Sequence, residues 1–119
     1  MKIRYLIVLL ALLASPAVAV DCYIGEYSTL AIDANNNQIP VAGDLVNEQK
    51  MTVTTTANST AFASGVRYIR LVCDGEKVHF NILAAPTATT STQLLPADVI
   101  EYHGVAPGLK IAICDADCT

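Results

Sequence analysis

The chain has 119 residues, 7 Lys+Arg against 11 Asp+Glu, 4 Cys and no Trp. That length fits one domain of ordinary size and excludes multidomain machines and large doubly wound or barrel enzymes. Past residue 19 there remain 5 basic and 11 acidic side chains, a net charge of −6, which argues against nucleic acid as a partner and for a self-repelling, soluble surface.

The N-terminus reads as a signal peptide over residues 1–19, with a signal-peptide-like helix ahead of the mature domain. Lys2 and Arg4 give it a charged start, Tyr5–Ala14 an apolar run, and Ser15-Pro16-Ala17-Val18-Ala19 the small-x-small ending of a cleavage site. The apolar run is about half of the roughly 20 residues that span a bilayer, so no membrane is expected for the mature form. Asp21 directly before Cys22 is wrong for lipid attachment. Export delivers residues 20–119, read as one domain, to an oxidising compartment in which the cysteines can pair.

From residue 20 on, the chain is rich in Val, Ile, Thr and Tyr, punctuated by Gly, Pro, Asn and Asp. That pattern predicts an all-β fold, a small antiparallel β-sandwich of six or seven strands. Tyr23–Ile32 reads as the first strand, ended by the turn Asp33-Ala34-Asn35-Asn36-Asn37, whose side chains favour bonds to their own backbone. Gln38–Val46 reads as a loop broken by Pro40 and Gly43, Gln49–Thr56 as a half-buried strand with Met51 and Val53 on one face, and Ala57–Ser64 as a connection. Lys50 is the only charge guarding Gln49–Thr56, which makes it the candidate edge for pairing with another subunit. Val66–Cys73 and Lys77–Leu83 are expected to form a hairpin through Asp74-Gly75, with Gly75 at positive φ. Val78, Phe80 and Ile82 would be buried there with Ile111 and Ile113. Ala84–Thr92 is a loop, Gln93–Leu95 and Val99–Val105 are short strands, and Lys110–Cys114 follows the Ala106-Pro107-Gly108 turn as the last strand.

The chemical inventory is thin. His103 shares a face with Glu101, but a carboxylate–imidazole pair needs a nucleophile and an oxyanion site around it. No Gly-x-Ser-x-Gly elbow and no metal-type His spacing appears, so the expectation is a protein without catalytic residues, cofactor or metal. Asp33, Asn35, Asn37 and Asp44 superficially match the spacing of a calcium loop, yet Gln38 stands where its glycine belongs. Cys22, Cys73, Cys114 and Cys118 are expected in two disulfides, of which three connectivities are possible. The arrangement favoured here runs from Cys22 to the Cys114/Cys118 segment, stapling both termini, with a second bond involving Cys73. No exposed aromatic stripe suited to sugar stacking is apparent, and Thr87–Thr92 and Thr52–Thr56 are the candidate contact surfaces.

Three blocks carry a resemblance: Glu26–Ala34 (EYSTLAIDA), Thr60–Leu71 (TAFASGVRYIRL) and Pro86–Ala112 (PTATTSTQLLPADVIEYHGVAPGLKIA). Over about residues 26–113 the chain resembles small all-β accessory virion proteins, head or tail structural, of tailed bacteriophages. The resemblance implies a non-enzymatic accessory structural protein of a phage particle, a capsid decoration or similar assembly contact. It also implies location in the virion and partners among capsid or tail proteins or further copies of the chain. The leader and the cysteines depart from that pattern, because capsids assemble in a reducing cytoplasm. They imply instead an exported, disulfide-bonded β-sandwich binding or adhesion module of a bacterium, periplasmic or secreted.

Overall fold

The computed structural model describes residues 18–118. The leader and helix expected over residues 1–19 lie outside the described residues, Val18 and Ala19 apart. The described residues form ten strands and no helix: β1 (Val20–Tyr27), β2 (Leu30–Ile32), β3 (Gln38–Ala42), β4 (Leu45–Val53), β5 (Thr56–Asn58), β6 (Tyr68–Cys73), β7 (Val78–Leu83), β8 (Gln93–Leu95), β9 (Glu101–Gly104) and β10 (Lys110–Cys114). One antiparallel sheet has the order β4-β1-β6-β9, a second β5-β10-β7-β8, and β2 and β3 pair only with each other.

Alternation dictates how the two large sheets meet. Val20, Cys22 and Ile24 of β1, Met51 and Val53 of β4, and Ile69, Leu71 and Cys73 of β6 are buried on one side of the first sheet. They join Val78, Phe80, Leu95, Ile111 and Ile113 of the second sheet in one apolar core. Successive residues of a strand point to opposite sides, so each sheet presents its other side outward. Burying a Phe, Ile or Leu contributes about 1.5–3 kcal/mol, and this shared interior holds the sandwich together.

The all-β reading holds, with ten strands in place of six or seven. The expected first strand bends at Ser28-Thr29 and becomes β1 and β2. The expected loop Gln38–Val46 supplies β3 and the start of β4, because a proline is tolerated in a two-stranded ribbon whose strands are both edges. β5 comes from the segment read as a connection, and Val53 ends β4 earlier than expected.

The hairpin expected between β6 and β7 does not form. Gly75 does have φ +84°, but β6 lies between β1 and β9, and β7 lies between β10 and β8 in the opposite sheet. The turn therefore crosses the sandwich. Gly75 donates its N–H to Asp98 Oδ1 (2.9 Å), and Asp98 donates its own to the carbonyl of Cys73 (3.0 Å). A left-handed glycine fits a crossing as well as a hairpin, so Asp-Gly fixes the turn and not the destination. From β4 onward, every connection except β7 to β8 passes between sheets.

The disulfides also depart from expectation. Cys22 bonds Cys73, with Cα atoms 4.1 Å apart, and Cys114 bonds Cys118. Cys22 and Cys73 stand directly opposite in the β1–β6 ladder, on its core side. Cys114 follows the core residue Ile113 and so points to the outer side of the second sheet, packing with Ala88 and Ala112. A Cys22–Cys114 bond would have to pass through the core.

Candidate functional site

Among the residues singled out from sequence, Glu101 and His103 do come together. Glu101 Oε2 lies 3.3 Å from His103 Nε2 on edge strand β9. Both pair with core residues of β6, Glu101 with Leu71 and His103 with Ile69, which puts them on the inward side at the open margin of the sandwich. There the imidazole meets the ring of Phe80 edge-on, centroids 5.1 Å apart. All four cysteines are oxidised, so no thiol can serve this pair as a nucleophile. Its visible work is to close the margin of the core with a polar, half-buried lid.

The Asp33 turn joins β2 to β3. Asp33 Oδ1 accepts the backbone N–H groups of Asn35 and Asn37, each at 2.9 Å. The Asn37 bond foremost, opposed by some desolvation, holds the Asp33 carboxyl below the usual aspartate range. Asp44 is anchored through its backbone, donating its N–H to Thr29 Oγ1 (3.2 Å). No group of three or more His, Cys, Asp or Glu suited to a metal ion occurs among the described residues.

The threonine loop Ala84–Thr92 lies across the outer side of the second sheet. Ala88 is buried against Ala112 and Cys114, Asn81 Nδ2 donates to the carbonyl of Thr87 (3.3 Å), and His79 Nδ1 lies 3.4 Å from that of Thr92. Thr89 and Thr92 turn their hydroxyls onto the loop's own backbone. β4, the expected candidate edge, is indeed an edge of its sheet.

The outer side of the first sheet was not legible as a site. No exposed aromatic stripe is expected from sequence; the four tyrosines beyond the leader nevertheless all lie on this side, Tyr23 exposed and Tyr27, Tyr68 and Tyr102 half-buried. Tyr27 pairs with Tyr68, and Gly25 with Arg70. Arg70 pairs on its other flank with Tyr102, and directly paired residues share a face. Tyr23 is 42% exposed. Lys50 Nζ sits 5.7 Å from the centroid of its ring and 3.2 Å from Asp21 Oδ2. A Thr52 hydroxyl bond first, and Lys50 second, hold the Asp21 carboxyl below its usual range; the Asp21 bond pushes the Lys50 ammonium up.

Gly25 opens this surface. A Cβ on it would stand 2.7 Å from Cε2 and 2.8 Å from Oη of Tyr27, so the ring of Tyr27 leans back across a backbone that only glycine leaves free. The result is a concavity of about 340 Å³ lined by Tyr23, Gly25, Tyr27, Glu48, Lys50 and Arg70, among others. Among the described residues, neither Arg70 nor Glu48 has an ion-pair partner. At the far end the Tyr68 hydroxyl reaches Gln38 Oε1 at 3.5 Å, so the β2–β3 ribbon borders the face.

Beneath it lies a buried carboxylate that sequence reasoning passed over. Glu26 is fully buried and follows Val20, Cys22 and Ile24 in phase. Its Oε2 accepts Asn47 Nδ2 (2.6 Å) and Gln49 Nε2 (3.0 Å), and its Oε1 accepts the N–H of Ala63 (2.8 Å). Gln49 Oε1 accepts the N–H of Thr60 (3.1 Å). Together they clamp the Ser59–Arg67 connection against the sheet and set the floor under Tyr27. The signal was available: a charged residue at the fourth step of a buried alternation.

No protein-family model, curated protein or solved structure matches the chain. The paired cysteines fit an oxidising environment, extracellular or periplasmic, and no described helix is long and apolar enough to cross a membrane.

Proposed function

We propose that the chain is an exported, disulfide-bonded β-sandwich that works by binding and not by catalysis. The observation that carries this reading is the outer side of the first sheet, where the tyrosines beyond the leader gather around Gly25 and Arg70. Tyrosine combines a large apolar ring with a polar tip and suits recognition at a wet surface. The oxidised cysteines support export. Intact-mass analysis of the protein recovered from the exported fraction tests it. The expected mass is that of residues 20–119 less four hydrogens, two for each disulfide. A leader-bearing chain with free thiols would refute it.

A second reading, an accessory structural protein of a phage particle, is supported by the motif resemblance. It calls for contacts with capsid or tail proteins or with further copies of the chain. Sheet edges β4, β9, β5 and β8 are where such neighbours could add on. Mass spectrometry of purified particles is its test, and absence of the chain from particles removes it.

A further inference from the structure

We propose that the tyrosine face is a carbohydrate site whose ligand is a stretch of neutral oligosaccharide. The proposal deepens the binding-module reading and rests on it. A pyranose ring has one side of C–H groups and a rim of hydroxyls, each both donor and acceptor. Its recognition needs an exposed aromatic ring beside groups of both hydrogen-bonding kinds. Tyr23 is exposed, and Tyr27 leans back over Gly25 instead of standing up from the sheet. The hollow they share is lined by the Glu48 carboxylate, an acceptor, and by the Arg70 guanidinium, a donor. Those two side chains flank Gly25 across the ladder, so opposite hydrogen-bonding types face each other over the gap. Neither is paired with an ion among the described residues.

Other occupants fit less well. The net charge of −6 past the leader disfavours a polyanion, and in the hollow Arg70 is offset by Glu48 while Lys50 is paired with Asp21. An extended peptide would add along a sheet edge through its backbone, whereas the hollow lies over β1, a central strand. A shallow aromatic floor with a mixed polar rim accepts a ring lying flat.

The test is isothermal titration of the oxidised protein with cello-, chito-, malto- and xylohexaose, and with a proline-rich decapeptide. At least one hexasaccharide is expected to bind. Tyr23→Ala and Tyr27→Ala should each weaken that binding by about ten-fold, and Tyr23→Phe, which keeps the ring, should restore most of it. Gly25→Val, which must displace the Tyr27 ring, should match Tyr27→Ala. Asn58→Ala, beside Ala112 on the outer side of the other sheet, should leave binding unchanged. Silence toward all four sugars, binding of the peptide alone, or sugar binding indifferent to Tyr23→Ala and Tyr27→Ala would each overturn the proposal. An unprocessed, reduced protein would sink the binding-module reading whatever the sugars do. A processed, oxidised one that ignores them sinks only the ligand class.

Discussion

Glu26 is a carboxylate sealed inside the sandwich with three donors and, among the described residues, no cation. Its donors differ in freedom. Asn47 is exposed and can turn its amide to water, but the Ala63 N–H belongs to the backbone and cannot. Glu26→Leu is expected to cost about 1 kcal/mol, the low end for a stranded donor, because Ala63 is half-buried. Glu26→Gln, which still offers Ala63 an oxygen, should cost less than half as much. Urea unfolding of the oxidised protein measures both, and amide exchange at Ala63 should quicken in the Leu variant only. Equal losses in the two variants would show that the carboxylate's charge matters more than the Ala63 bond. Glu26 was within reach of sequence reading because it keeps step with Val20, Cys22 and Ile24. The tyrosine face was not, since Tyr68 and Tyr102 join Tyr27 and Arg70 only once register and sheet partners are known.

Among the elements, the β2–β3 ribbon is held at its tip by one ionisable group. The folded Asp33 carboxyl titrates below its ordinary value of 3.8. Its contribution is therefore complete above the unfolded value, about 3.9, and is lost as pH falls through the lower folded one. Side-chain carbonyl NMR should place the Asp33 midpoint below 3.8, with the Asn35 and Asn37 amides shifting in step; a midpoint at or above 3.8 would refute the turn geometry. The two disulfides differ more sharply. Chain-entropy reasoning gives about 4 kcal/mol for the 51-residue separation of Cys22 and Cys73, and about 2 kcal/mol for the 4-residue separation of Cys114 and Cys118. Unfolding of the Cys22→Ala/Cys73→Ala and Cys114→Ala/Cys118→Ala pairs should show that order, and a reversal would mean the short bond does more than close a loop. The pairing itself was half legible. Ile111 and Ile113 on the core side already set Cys114 on the other, but Cys22 could find Cys73 only if β1 and β6 were neighbours, which no local pattern states.

At the scale of the whole molecule, the strands and the core residues were readable and the path between sheets was not. Val78, Phe80, Ile111 and Ile113 are buried together as their alternation requires, yet the Asp74-Gly75 turn leads across the sandwich and not back along it. The order of cysteines along that path has a consequence for biogenesis. In the chain, Cys22 is followed next by Cys73, and Cys114 next by Cys118, and those neighbours in sequence are the native partners. A polypeptide passed through a translocon from its N-terminus presents each thiol with its correct mate before any competitor arrives. Both sheets must still wait, because β1 sits between β4 and β6, and β10, the last strand, sits between β5 and β7. An oxidase that simply joins thiols in order of emergence would write the native connectivity into a chain that has not yet folded, leaving nothing for an isomerase to reshuffle.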